Sequence, residues 1–221
     1  MTTKRHLIYN IRELISQYSD DSDVSNEYIS FLITQTRALL VTQRYSDRAY
    51  VLPQKIRQRF NYELELAEDN PFDDTIGTIL RTVDPIQKPI ENFNLKSNMR
   101  LNSGSYKDIY FTIVPQERFP YVGRNKWIQN HIYVTIGTDF RLYFTASNDT
   151  HKMIENVRAS YVCEDPEAAY PATVDYDGTD FWDVEYPLEA SMVEDLTNII
   201  VKKLVGKLQI PQDKINNADE Q

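Results

Sequence analysis

The residue types that most often catalyse reactions or bind metals are few in this sequence and lie far apart. The three histidines, His6, His131 and His151, fall on a predicted helix, a predicted strand and a loop, without the short spacing of metal ligands. The single cysteine, Cys163, follows an alternating apolar strand and has no base near it in sequence, which favours a buried small side chain over a nucleophile. One cysteine also excludes an internal disulfide. We therefore expect no cofactor, no metal site and no cysteine nucleophile.

Two acidic clusters resemble calcium ligands, namely Asp20-Asp21-Ser22-Asp23 and Asp175-Tyr176-Asp177-Gly178. Neither has the D-x-D-x-D-G spacing with a glutamate at position twelve, since Gly178 comes too early. Turn residues and helix caps are the preferred interpretation. The Walker loop, the G-x-G-x-x-G fingerprint and the H-E-x-x-H and G-x-S-x-G motifs are all absent from the sequence. The motifs therefore predict no enzyme.

Charge is distributed unevenly along the 221 residues, whose formal net charge is −9. Residues 1–60 carry a net charge of +3 and residues 61–221 carry −12. Between Arg158 and Lys202 there are eleven acidic residues and not one basic residue. Such a segment repels phosphate, which makes it unsuited to binding nucleic acid. The candidates for an acidic surface or channel lining are Asp175, Asp177, Asp180, Asp183 and Glu185.

A basic stripe is predicted on the second helix. Arg37, Arg44 and Arg48 are spaced by seven and four residues, which places them on one side of a helix beside its apolar face. A solvated face with local ion pairs is one interpretation of this spacing. The other is an interface in which the stripe meets acidic surface on a neighbouring molecule, including another copy of this chain.

The elements that position these residues begin with helices. Apolar residues recur with helical spacing over residues 4–18 and again over about 26–46, where Ser25 is a predicted N-cap. The short polar loop between them favours an antiparallel hairpin. Pro53 fits the first turn of a third helix ending near residue 70, although Tyr62, Leu64 and Leu66 alternate as they would in a strand. Residues 1–70 are therefore predicted to form a helical domain.

Over residues 71–186 the spacing of apolar residues changes from that of helices to that of strands, and these residues are predicted to form an antiparallel β-rich domain. Short runs rich in β-branched and aromatic residues occur at 76–83, 109–114, 131–137, 140–145 and 157–162. Two long irregular loops, 85–106 and 115–130, separate some of these strands. The second loop is predicted to expose Phe119, Tyr121 and Trp127, and loops of this length commonly bind a partner.

A C-terminal helix is predicted over residues 187–206, followed by an extended polar tail at 207–221. The tail supplies candidate partner-binding residues at Asp213, Lys214, Asn216 and Asn217. The predicted fold class is therefore α+β, with an N-terminal helical hairpin or bundle, an antiparallel sheet and a C-terminal helix. No run of about 18 apolar residues exists, so the sequence predicts no membrane-spanning helix and no membrane partner.

Four stretches of sequence resemble a structural protein of crAss-like bacteriophages, which are short-tailed phages of gut Bacteroidota. They are HLIYNIRELISQYSDDSDVSNEYISFLITQTRALLVTQRY (6–45), VCEDPEAA (162–169), FWDVEYPLEASM (181–192) and PQDKINNADEQ (211–221). The resemblance touches both ends and the late middle of the chain. It implies a head-to-tail connector, a ring protein bound beneath the portal, with helices, a β-rich part and a C-terminal segment that reaches along the portal.

The resemblance leads to a hypothesis of a non-enzymatic virion protein that forms a homo-oligomeric ring, twelvefold by matching the portal. Such a ring would join capsid to tail, contact other neck and tail rings, and let DNA pass without sequence-specific binding. Oppositely charged flanks of neighbouring copies would steer its closure. The expected localisation is the virion neck, and the host cytoplasm during assembly.

Three alternatives remain open at this stage. The first is another structural protein of the tail or neck. The second is a sequence-independent DNA-handling protein acting through the basic residues of the N-terminal part, which are Arg37, Arg44, Arg48, Lys55, Arg57 and Arg59. The third is a hydrolase with dispersed carboxylates, such as a virion glycosidase, which would need an acid and a base paired across a cleft.

Overall fold

The chain folds as two compact units in a computed structural model that describes residues 2–18, 24–45, 52–67, 72, 78–90, 99–104, 109–122, 131–146 and 149–208. The first unit combines residues 1–44 with residues 179–221, and the second comprises residues 45–178. The two ends of the chain therefore belong to one unit, and the middle forms the other. The predicted fold class, α+β, is confirmed.

The first unit is built on three helices, α1 (Lys4–Ser16), α2 (Asn26–Tyr45) and the C-terminal helix, which we call α4 (Ala190–Leu208). Each of them buries one apolar stripe, because its apolar residues recur every three or four positions. These stripes make the core of the unit, together with Phe181, Tyr186 and Leu188 from the segment that precedes α4. The fully or nearly fully buried helical residues are Leu7, Ile11, Ile15, Ile29, Leu32, Ile33, Val41, Met192, Leu196, Ile200 and Leu204.

The helix ends confirm some predicted boundaries and correct others. Ser25 caps α2 as predicted, since the Tyr28 backbone N–H donates to the Ser25 hydroxyl oxygen at 3.2 Å. Helix α1 ends at Ser16, two residues before the predicted end. Helix α4 spans Ala190–Leu208 and not 187–206, so Pro187 lies outside it and Gly206 does not stop it.

The second unit contains a seven-stranded sheet. Its strands are β1 (Gln58–Leu66), β2 (Leu80–Thr82), β3 (Arg100–Ser103), β4 (Tyr110–Ile113), β5 (His131–Ile136), β6 (Leu142–Ala146) and β7 (Asn156–Tyr161). Their order across the sheet is β3-β7-β1-β2-β6-β5-β4. Every pair is antiparallel except β4 and β5, which run parallel. A short helix, α3 (Pro166–Ala169), follows β7.

The predicted third helix is wrong. Residues 54–56 form a single turn of 3-10 helix, and the chain then enters β1, the longest strand of the sheet. Over Gln58–Tyr62, buried residues alternate with exposed ones, and this period of two requires a strand because a helix would bury every third or fourth residue. The segment 1–70, predicted to be helical, therefore contains an interior strand of the sheet, β1, which pairs with β7 on one side and β2 on the other.

The other predicted strands are present in the structure, but they begin or end at residues that differ from the predicted ones. The predicted hairpin joins β5 to β6, where Ile136 pairs with Leu142 and the Gly137 N–H donates to the Arg141 carbonyl oxygen at 2.8 Å. Phe140 lies in its turn with φ of 58°, so β6 begins two residues later than predicted. The loop 85–106 was expected to be irregular throughout, but it contains β3.

The two edge strands of the sheet approach one another. Strands β3 and β4 are consecutive in the chain yet stand at opposite edges, and only residues 104–109 connect them. Six residues span at most about 20 Å, so the sheet must curl to bring its edges together. Cα atoms of β3 and β4 accordingly come within 8 Å of each other.

Aromatic rings fill the inside of the curled sheet. Phe60 stacks on Tyr161 with ring centroids 4.9 Å apart, and the hydroxyl groups of Tyr62 and Tyr161 lie 2.9 Å apart in a hydrogen bond. Burial raises the pKa of Tyr62 to about 12 and raises that of Tyr161 as well. This packing makes the sheet a structural core rather than an open binding face.

Candidate functional site

Arg37 is a buried structural residue, which corrects its predicted place on an exposed basic stripe. Its side chain is 0% exposed, and its Nε–H donates to the Pro187 carbonyl oxygen at 2.9 Å. Helical spacing placed the three arginines on the correct side of α2. That side borders the apolar face so closely, however, that Arg37 lies inside the core. Arg37 therefore joins α2 to the segment before α4 within the first unit.

Arg44 remains at the surface and finds its acidic partner within the same chain. Its Nε lies 3.7 Å from Oε2 of Glu189, and the Arg44 side chain is 46% exposed. The third predicted member, Arg48, lies outside the described residues. The three arginines are therefore not a single exposed surface, since the two that are described have different environments.

The acidic segment of the first unit meets the positive start of α1. Arg5 makes a bidentate hydrogen bond with Asp183, at 2.7 and 3.0 Å, and lies 4.0 Å from Asp180. The hydrogen bond and charge of Asp183 raise the pKa of Arg5. Glu185 is half-buried, and it forms a backbone bridge with Thr3. The first unit thus contains both partners of the charge attraction that was predicted to act between copies.

Lys4 was missed by the sequence reasoning, although it is one of the largest fully buried side chains of the chain. Its ammonium group lies 5.9 Å from the ring centroid of Phe181 and 6.0 Å from that of Trp182, which is cation–π geometry. The signal in the sequence was the pair Lys4 and Arg5 at the start of α1 facing the acidic and aromatic run Phe181-Trp182-Asp183. Two segments 176 residues apart seldom reveal such a match by spacing alone.

Asp175 and Asp177, at the end of the second unit, and Asp180, in the first unit, lie on one exposed stretch of the chain. Asp175 makes a bidentate hydrogen bond with Arg59, which raises the pKa of that guanidinium group, and Asp177 accepts a hydrogen bond from the Tyr170 hydroxyl at 3.3 Å. Every residue of the run 174–180 is exposed. This run, VDYDGTD, contains three carboxylates and no basic residue, and we call it the acidic loop.

The predicted aromatic loop is only partly exposed. Phe119 is 0% exposed and packs against Phe72 with ring centroids 4.8 Å apart, so its predicted exposure is wrong. Tyr121 is 64% exposed, as predicted. A six-residue turn of 3-10 helix, Gln116–Tyr121, explains the difference, because it directs Phe119 inward and Tyr121 outward. Trp127 and the tail residues Asp213, Lys214, Asn216 and Asn217 lie outside the described residues.

The histidines and the cysteine occupy separate environments. His151 is buried, and its Nε2–H donates to the Thr78 carbonyl oxygen at 2.8 Å, while the His131 ring stacks on Tyr110. His6 is exposed beside Thr3. Cys163 is 1% exposed. Within the part of the chain that the structure describes, no group of three or more histidine, cysteine, aspartate or glutamate residues could hold a metal ion.

A surface cavity of about 840 Å³ in the second unit contains two carboxylates, those of Asp84 and Asp139. Asp139, however, builds the β5–β6 turn. Its Oδ1 accepts from the Arg141 backbone N–H at 3.2 Å, and its Oδ2 accepts from the Tyr143 hydroxyl at 2.8 Å. A carboxylate held by two donors in a turn is poorly placed to exchange protons with a substrate. The cavity therefore gives the hydrolase alternative no support.

Of the basic residues proposed for DNA binding, the four arginines that the structure describes are buried or already paired within the chain; Lys55 is exposed, and Arg48 lies outside the described residues. Arg37 is buried, and Arg44 and Arg59 are paired with carboxylates. Arg57 is nearly buried, and burial followed by the charge of Arg100 lowers its pKa to about 10. Side chains that already contact groups of their own chain lose those contacts on binding DNA, which lowers any net affinity.

Comparisons with known proteins give the class of protein to which this fold and these contacts belong. The sequence profile of the family described as phage tail ring protein 2 matches residues 6–221. Ring protein 2 of Bacteroides phage crAss001 is 29% identical over 222 residues, which cover 99% of this chain and 97% of that protein. Among the described helices, none is long and apolar enough to cross a membrane.

The chain therefore belongs to the phage tail ring protein 2 family. It is a structural ring protein of the phage tail and hence a component of the virion. The predicted resemblance to a ring protein of crAss-like bacteriophages is confirmed.

Proposed function

We propose that this chain forms a closed ring at the portal vertex, where it joins the capsid to the tail, extends the DNA channel and performs no reaction. The observation that carries the proposal is the acidic loop, in which seven consecutive residues are exposed and three are carboxylates. In a protein of the tail ring family, such a loop fits the wall or rim of a passage for DNA.

Electrostatics give the physical reason. Double-stranded DNA carries one negative charge per about 1.7 Å of its length, and a basic wall would bind it and slow its passage. Carboxylates act on DNA over about one Debye length, roughly 8 Å at physiological salt. Arg5 and Arg59, the cations that contact this acidic segment, are each held by a carboxylate, so they do not offer phosphate a binding site.

Ring closure needs two different surfaces on each copy, because a head-to-tail interface joins unlike faces. Twelve copies would match the portal on which the ring sits. Complementary basic and acidic flanks were the predicted means of closure. The pairs Arg5–Asp183 and Arg44–Glu189 instead satisfy much of that attraction within one copy, so other surfaces must make most of the interface.

The portal contact is assigned to Tyr121 and the C-terminal tail. Tyr121 offers an exposed aromatic ring next to a structured turn, a residue type that is enriched in protein interfaces. The tail residues Asp213, Lys214, Asn216 and Asn217 supply polar groups with few apolar anchors. Their donors and acceptors can form hydrogen bonds with polar groups of a partner surface.

Electron microscopy of the purified particle tests the position of the ring. We expect twelve copies on the portal axis, between the portal and the rest of the tail, with the acidic loop towards the channel. Density for the chain off this axis, or on the fibres, would contradict the proposal and favour another structural role in the tail.

A deletion of residues 209–221 tests the role of the tail. We expect the far-UV circular dichroism of the shortened chain to match that of the full chain, while its binding to purified portal weakens at least tenfold. Tyr121→Ser alters only the other assigned contact and should weaken binding less than the deletion, and Tyr9→Ser, at an exposed tyrosine outside the assigned contacts, is the control that should leave binding unchanged. Unchanged portal binding by the deletion variant would remove the tail from the proposal.

A further inference from the structure

We infer that the exposed side of α2 is a contact surface between neighbouring copies in the ring. This inference rests on the ring assembly in the proposed function, but not on the position of the ring at the portal. Residues 28–43 contain a single charged residue, Arg37, and that residue is buried. The solvent side of this part of the helix therefore carries no charge.

Between Glu27 and Arg44, which are charged and exposed, the exposed positions of α2 recur every four residues and form one stripe. From Phe31 to Gln43 they are Phe31, Gln35, Leu39 and Gln43. Phe31 is 54% exposed and Leu39 is 50% exposed. A helix at the surface of a monomeric protein usually presents charged residues to water, as α1 does with Arg5, Arg12 and Glu13.

The shape of this stripe suits packing against another protein surface. Sixteen residues of helix are about 24 Å long. The half-buried residues beside Leu39 include Ala38 and Thr42, and such small side chains let a second backbone approach to about 8–10 Å. A standard interface buries about 800 Å² on each partner, so α2 supplies one part of the contact and other elements supply the rest.

Charge favours a second copy as the occupant. Each copy carries a net charge of −9, so identical copies repel one another wherever their charged surfaces meet. An uncharged helix face is where they can approach at the lowest electrostatic cost. Interface cores are depleted of charged residues in the same way. DNA, by contrast, is bound through positive charge, which this face lacks.

The test compares Leu39→Glu with a matched control, Tyr9→Glu, in the full chain. Tyr9 is 66% exposed on α1, so both substitutions place a carboxylate at an exposed helical site. We expect both variants to keep the circular dichroism of the parent. Self-association, measured by analytical ultracentrifugation from about 1 to 100 µM, should weaken at least tenfold for Leu39→Glu and less than twofold for Tyr9→Glu.

A substitution of opposite charge separates packing from repulsion. Phe31→Lys makes each copy less negative, so it would strengthen association if net charge alone were responsible. We expect it to weaken association at least tenfold, as Leu39→Glu does. Stronger association of Phe31→Lys, equal effects of Leu39→Glu and Tyr9→Glu, or a parent chain that stays monomeric throughout would each overturn the inference.

Photo-cross-linking identifies the occupant directly. A benzophenone side chain at position 35, in a mixture of ¹⁴N- and ¹⁵N-labelled full chains, should yield cross-linked peptide pairs of mixed label. Pairs of a single label only would contradict a contact between copies. Rings that require Leu39 but lie away from the portal axis would refute the portal position and leave this inference intact. Rings that lie on the portal axis and still form with Leu39→Glu would refute this inference and leave the portal position intact.

Discussion

Replacing Arg37 tests whether this residue stabilises the fold of one copy or binds a neighbouring copy. In the structure its guanidinium group is fully buried and donates to the Pro187 carbonyl oxygen at 2.9 Å. Arg37→Met keeps most of the length and apolar volume of the side chain and removes the donor and the charge. Arg37→Ala removes the aliphatic part as well, so the two variants separate the polar contribution from the packing contribution.

The expected magnitudes follow from these contacts. A hydrogen bond from a charged donor contributes about 1.5–3 kcal/mol, and its loss leaves the Pro187 carbonyl oxygen without that donor. Loss of the charge also removes a desolvation penalty, which reduces the net effect. We expect Arg37→Met to lower the free energy of unfolding by about 2 kcal/mol. Arg37→Ala loses two further buried methylene groups at about 0.8 kcal/mol each, which gives a total of about 4 kcal/mol.

Urea denaturation of the full chain, followed by circular dichroism at 222 nm, measures both changes. The signal is appropriate because the long described helices α1, α2 and α4 belong to the unit that contains Arg37. Neither variant should alter ring assembly at urea concentrations where it remains folded. A Met variant as stable as the parent, or one that is fully folded but unable to assemble, would refute the reasoning and restore Arg37 to an interface.

Two further perturbations concern the second unit. Burial raises the pKa of Tyr62 to about 12 from its ordinary value near 10. Between these two pH values the folded state keeps a proton that the unfolded state releases. The contribution of Tyr62 to the free energy of unfolding is therefore fully present below pH 10 and falls by roughly 2–3 kcal/mol as the pH rises to 12. Tyr62→Phe should make this part of the pH profile of denaturation less steep, while Tyr161, whose pKa burial also raises, keeps part of the slope; an unchanged slope would contradict the assignment. Gly137→Ala should lower the free energy of unfolding by about 1–3 kcal/mol, because a Cβ atom there would overlap the ring of Tyr143 and a carboxylate oxygen of Asp139. A melting temperature equal to that of the parent would show that the turn relaxes at no cost. Gly104→Ala is the control, because the atom nearest to a Cβ placed there is 3.9 Å away.

Local pattern predicted the elements that bury one face. Helices α1 and α2 and the β5–β6 hairpin follow from the spacing of their apolar residues and from short-range signals such as the Ser25 cap. The pattern failed at residues 54–70. There Pro53 indicates a helix start, whereas the alternation that begins at Gln58 indicates a strand. Pairing with β2 and β7, which lie far along the chain, decides between them.

The candidate site was harder to predict because its contacts are between distant segments. The basic start of the chain and the acidic segment near residue 180 were both recognised from composition. Their pairing within one unit was not, since net charge does not say which copy supplies the partner. Arg37 was mispredicted for a similar reason, because helical spacing gives the side of the helix on which a residue lies but not how deeply its side chain is buried. The uncharged stretch of α2 was visible in the sequence, but only its exposure in the structure makes it significant.

The approach of strands β3 and β4 to one another has a consequence for how the second unit behaves at high protein concentration. Unpaired strands invite pairing with strands of other molecules, which leads to aggregates rather than to ordered particles. Here the two edges face one another across a cavity of about 410 Å³ lined by residues of both strands, as at the seam of a nearly closed barrel, so a strand of another molecule would have to fit between them. This arrangement therefore disfavours edge-to-edge pairing between second units of different copies.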